Sequence, residues 1–94
     1  MKKLRFTQGE WKIDSRYADD PKIYWHDIKV NGITIAEVKG KHYRVPNKNC
    51  DFNAKLIAAA PHLLEALMNI ENDNGSIPAS IWEMRNKAIK KAIG

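Results

Sequence analysis

One cysteine, Cys50, is all that this chain of 94 residues offers for thiol chemistry, which excludes an internal disulfide framework and a cysteine-only zinc site. Long apolar runs are missing as well, and nothing approaches the ~18 consecutive apolar residues of a membrane-spanning helix. The opening MKKLRFTQGEWK is positively charged but lacks the apolar stretch of a signal peptide, so a cytoplasmic protein is expected. No glycine-rich phosphate loop of the Walker or Rossmann kind occurs. Asp19 and Asp20 adjoin each other in a turn and do not form a spaced pair for acid–base work. The three histidines, His26, His42 and His62, follow no C-x-x-C or H-x-x-x-H spacing. These absences argue against an enzyme, a cofactor and a metal.

What is present suits a small folded domain. Hydrophobic residues make up 44% of the chain and charged residues 29%, an ordinary globular balance. The length predicts one domain, 1–94, with a single modest core. Sixteen Lys and Arg against 11 Asp and Glu leave a formal charge of +5. Such a field attracts phosphate-bearing partners, and it also serves plain solubility.

The first half, about 1–46, reads as mostly β. Residues 4–14 predict one or two short strands divided at Gly9, with Trp11 and Ile13 on one face. Ser15–Lys22 collects turn-forming residues and predicts a loop. The segment IYWHDIKVNGITIAEV carries the clearest signal, because Asn31-Gly32 suits a two-residue hairpin turn needing positive φ at both positions. That hairpin would pair Val30 with Ile33, Ile28 with Ile35 and His26 with Glu37. Tyr43 and Val45 predict a further edge strand before Pro46.

The second half, about 51–94, reads as helical. Asp51 is a suitable N-cap, and Pro61 divides the first helical stretch into two pieces meeting at Ala60–Pro61. Leu56, Ala60, Leu63, Leu64, Leu67 and Ile70 recur at helical spacing as a buried stripe. After a turn at 72–76, Pro78 opens a final helix whose stripe is Ile77, Ile81, Met84, Ala88 and Ala92. Strands followed by helices, without β-α-β alternation, predict an α+β fold. A small antiparallel sheet would be covered by two to three C-terminal helices.

The strongest candidate site is a basic loop. Lys39, Lys41, His42, Arg44 and Lys48 fall within ten residues, with Tyr43 among them. Cationic donors bind phosphate, glycine at 40 permits close backbone approach, and an aromatic ring can stack on a base. Lysines that protect a sheet edge from aggregation are the competing explanation. Trp82 and Ile89 lie off the main stripe of the last helix, as a protein contact surface would, although closing a small core accounts for them equally well. His26, His42 and Cys50 could converge on a metal, although their spacing suits ordinary surface or capping histidines better, and Cys50 near a helix start is expected to have a lowered thiol pKa.

NAKLIAAAPHLLEAL, residues 53–67, resembles a pattern, N-A-x-L-I-A-A-A-P-x-L-L-E-A-L, of small uncharacterised bacteriophage and prophage proteins. GEWKID, ITIAEV and the closing AIKKAIG follow the same order, so the resemblance covers about two thirds of the chain. His62 departs from it, since an acidic residue often follows the proline there, as does the long basic loop. The resemblance transfers no catalytic or binding residue. It implies a small phage protein that acts by binding, within the cytoplasm of the infected bacterial host. Its expected role is to inhibit a bacterial defence system without catalysis, as an anti-CRISPR-like protein inhibitor or by sequestering a nucleotide signal. The partners would be a host defence protein or its nucleotide ligand, with a homo-oligomer also conceivable. The alternative is a nucleic-acid-binding accessory protein of phage replication or regulation.

Overall fold

A computed structural model describes residues 4–94. Its elements are β1 (Lys12–Tyr17), β2 (Tyr24–Val30), β3 (Ile33–Val38), a 3-10 turn (Lys41–Tyr43), α1 (Asn47–Met68) and α2 (Ala79–Ile93). The strands form an antiparallel sheet in the order β1-β2-β3, and the class is α+β as the sequence predicts. The described chain divides into two compact units. One is Thr7–Ala60, and the other takes Pro61–Gly94 together with the described residues before Thr7.

In the first unit the hairpin turns at Asn31 and Gly32, with φ of 51° and 80°. Its register departs from the predicted one beyond the first two pairs. Val30 faces Ile33 and Lys29 faces Thr34, but a bulge between Ile28 and Lys29 then sets Ile28 against Ala36 and His26 against Val38. The physical reason is visible in the side chains. A plain register would turn Glu37 toward the core, whereas the extra residue on β3 exposes Glu37 and buries Val38.

β1 begins later than predicted and runs through Ser15, Arg16 and Tyr17, which a loop assignment left unpaired. Those residues lie opposite His26, Trp25 and Tyr24. The connecting turn is shorter, closed by the Ala18 N–H to the Ile23 carbonyl at 2.9 Å. Tyr43 and Val45 do not form an edge strand either. The Gly40 carbonyl accepts from the N–H groups of Tyr43 and Val45, at 2.9 and 3.2 Å, and this curls the segment into a 3-10 turn.

α1 starts four residues ahead of Asp51, so Asp51 is not its N-cap. The helix is also continuous through Pro61, not two pieces. Its inner face in this unit is Cys50 and Ala54, both fully buried, with Ile57 and Ala58 packed beside them. Those positions follow i, i+4, i+7 and i+8 spacing, one residue off the predicted stripe. Leu56, placed in that stripe, is 64% exposed. Ile28 and Val38 of the sheet complete the core, joined by Trp11, Ile35, Ala36 and Val45.

In the second unit Leu64 and Leu67 are half-buried, while Leu63 and Ile70 are exposed. α2 opens after Pro78, as predicted. Its better-buried face is Trp82, Arg85, Ile89 and Ile93; of the predicted stripe Ile77, ahead of the helix, is half-buried, and Ile81, Met84, Ala88 and Ala92 are exposed. Arg85 explains the rotation. Its guanidinium donates to the carbonyls of Leu67 (3.0 Å) and Met68 (3.3 Å), capping the end of α1, and stands 4.5 Å from the Trp82 ring centroid.

Candidate functional site

Alternation along β2 separates its side chains into two sets. His26, Ile28 and Val30 are buried, and Trp25, Asp27 and Lys29 occupy the outer face. The bulge in β3 sends Glu37 to that same outer face. The 3-10 turn then brings the His42 ring beside Trp25, with centroids 5.9 Å apart and planes at 60°. Trp25, Glu37, Gly40, His42 and Tyr43 enclose an open groove of about 450 Å³.

Gly40 is buried, and the Tyr24 carbonyl stands where a Cβ would project. Its smallness therefore admits the neighbouring strand, where the sequence suggested room for a phosphate. Lys39 places Nζ 3.2 Å from Glu37 Oε1 and 4.2 Å from the centre of the Tyr43 ring. The hydrogen bond to Glu37 raises the Lys39 pKa, and Tyr43 adds to the effect against some desolvation. Lys41, Arg44 and Lys48 are exposed and make no ion pair among the described residues. Arg44 adopts a left-handed conformation, φ 62°, at the end of the turn.

Of the six predicted loop residues, His42 and Tyr43 line the groove, Lys39 bridges two of its walls, and Lys41 and Arg44 adjoin it in the chain. Lys48 lies in the first turn of α1 and is not among the lining residues. Sequence reasoning missed Trp25 and Glu37. Trp25 was legible in principle, being one residue out of phase with the buried positions of β2. Glu37 was not, because the bulge alone turns it outward.

A second polar cluster links the sheet to α1. Ser15 Oγ is 2.9 Å from His26 Nδ1, His26 Nε2 is 2.7 Å from Asp51 Oδ1, and the Tyr24 hydroxyl donates to Asp51 Oδ2 at 3.0 Å. The His26 hydrogen bond, with help from Tyr24, holds the Asp51 carboxyl below its ordinary pKa. An ionised Asp51 assigns the Nε2 proton to the bond between them. In neutral His26, Nδ1 is then left to accept from the Ser15 hydroxyl. Tyr24 and His26 share the core-facing side of β2, and polar groups there require partners. That requirement was the available signal for Asp51.

Cys50 is a core residue. Its Sγ lies 3.7 Å from the Val38 carbonyl, and burial, reinforced by the charge of Asp51, pushes the thiol pKa up. This reverses the lowered value expected from its place near a helix start. His26 and His42 belong to opposite faces of the sheet, and no set of three metal-binding side chains occurs among the described residues. Ile89 lines a separate hollow of about 260 Å³ on α2 with Arg85, Asn86, Lys90, Ile93 and Gly94. Trp82, half-buried against Arg85, is not part of it.

A family model described as Salmonella phage P22 protein Y8K6 matches residues 1–94. The chain belongs to that family. Membership in the P22 Y8K6 family makes this a small phage protein, as the resemblance implied. No curated protein and no solved structure matches it. Among the described residues, no helix is long and apolar enough to cross a membrane.

Proposed function

We propose that this phage protein is a non-enzymatic binding protein that sequesters a nucleotide signal of a bacterial defence system in the host cytoplasm. The observation that carries the reading is the groove walled by Trp25, His42 and Tyr43 beside the unneutralised cations Lys41 and Arg44. Its volume of about 450 Å³ falls in the range of small-ligand clefts, roughly 300–1,000 Å³. Aromatic rings supply stacking of about 1–3 kcal/mol per base. Arg44 offers a planar fork for phosphate oxygens and Lys41 a point charge.

Calorimetric titration with mono- and dinucleotides tests the proposal. Reversing Lys41 and Arg44 together to glutamate should weaken binding by about a hundredfold, near 1.4 kcal/mol for each lost contact, with an unchanged melting temperature. Undiminished capture by that variant would remove the groove from consideration.

The formal charge of +5 favours one second reading, a nucleic-acid-binding accessory protein of phage replication or regulation. Steeply salt-dependent binding to single-stranded DNA or RNA, exceeding that to any mononucleotide, would select it. Salt-insensitive capture of a host defence protein would instead select a direct protein inhibitor.

A further inference from the structure

Among the described residues Glu37 is the only carboxylate lining the groove, and a binding site for an anionic ligand has no general need of one. Lys39 sits 3.2 Å from Oε1, which offsets the negative charge and leaves Oε2 uncommitted. A carboxylate accepts and never donates, and its two oxygens together offer about four acceptor positions. It therefore rewards a ligand edge that presents neighbouring donors.

Among the common bases only guanine does so. Its N1–H and its N2 amine lie side by side on the Watson–Crick edge and meet both oxygens of one carboxylate. Adenine and cytosine offer a single amine next to a ring-nitrogen acceptor, which repels the second oxygen. Uracil offers one N–H between two carbonyls. Trp25, on the same outer face of the sheet, provides the ring on which such a base can stack.

We propose that the groove selects guanine nucleotides through Glu37, with the base against Trp25 and the phosphates toward Lys41 and Arg44. This rests on the nucleotide-binding reading above and specifies its ligand. Replacing the carboxylate by a carboxamide supplies one acceptor and one donor, the complement of the adenine edge at N6 and N1. Glu37→Gln should thus move the preference from guanine to adenine and not merely weaken binding. Glu37 is exposed, so the substitution leaves the core untouched.

The experiment is calorimetric titration of the full chain with GMP, IMP, AMP, CMP and UMP at fixed salt, repeated for Glu37→Gln. GMP should bind about tenfold more tightly than AMP, and IMP, which lacks the N2 amine, should fall between them. In Glu37→Gln, AMP should equal or exceed GMP. Equal affinities for all five on the unaltered protein would overturn guanine selection while leaving the groove a general nucleotide site. A GMP preference unchanged in Glu37→Gln would overturn the role of Glu37 alone. Absence of binding by every nucleotide at millimolar concentration would overturn this inference and the nucleotide reading together.

Discussion

Gly40 shows how a residue chosen for one role on paper serves another in space. Its φ of −121° lies outside the left-handed region, so handedness alone does not demand glycine, yet the Tyr24 carbonyl and the Cys50 sulfur crowd the position of a Cβ. Gly40→Ala should destabilise the protein by about 1–3 kcal/mol, measured by chemical denaturation, because backbone must move to admit the methyl group. Asp51 makes a different prediction, in pH. Its folded pKa is depressed below the ordinary 3.8, chiefly by His26, so the unfolded chain binds its proton first. The stabilisation is present above pH ~4–5, shrinks as pH falls through the ordinary value, and is gone below the folded one. Asp51→Asn should therefore flatten the acid limb of a melting-temperature profile between pH ~2 and ~5, with less effect on its slope near neutrality. A limb equally steep in the variant would assign the acid sensitivity elsewhere, Asp14 being next, since its hydrogen bond from Lys29 lowers its pKa as well.

Elements were legible wherever local chemistry was strong. Asn31-Gly32 announced its hairpin, Pro78 the start of α2, and the alanine-rich stretch its helix. Boundaries and faces were less so, for identifiable reasons. β1 outran its predicted end because Ser15 and Arg16 found cross-strand partners that propensity cannot anticipate. α2 turned its Trp82 face inward because Arg85 reaches the terminal carbonyls of α1, an interaction 17 and 18 residues away in sequence. Pro61 was read as a break, yet the helix continues through it. A proline there still lacks the N–H that would reach back to Ile57, at a cost of up to about 3 kcal/mol. Pro61→Ala should accordingly raise stability by about 1–3 kcal/mol and increase helicity by circular dichroism, provided the ring itself makes no compensating contact. A loss of stability would mean that the ring packs to more effect than the missing hydrogen bond.

For the whole molecule, the charge of +5 attracts any phosphate-bearing ligand, and the number of phosphates contacted sets how its binding responds to salt. A mononucleotide held by Lys41 and Arg44 should lose less than about tenfold in affinity between 50 and 200 mM salt. A single strand engaging six or more phosphates would lose at least about 300-fold, and filter binding across that range separates the two. The basic character of the site was readable as residues close together in sequence: Lys39, Lys41, His42, Tyr43, Arg44 and Lys48. Its walls were not, since Trp25 and Glu37 reach it from β2 and β3. By itself the sequence determined the class, the hairpin, the late helices and the charge, because each follows from composition or from neighbours within a few positions. Tertiary structure alone decided the bulge that turns Glu37 outward, the burial of Cys50 and the pairing of His26 with Asp51. These depend on which distant atoms meet, and in an α+β chain that is settled only when sheet and helix pack together.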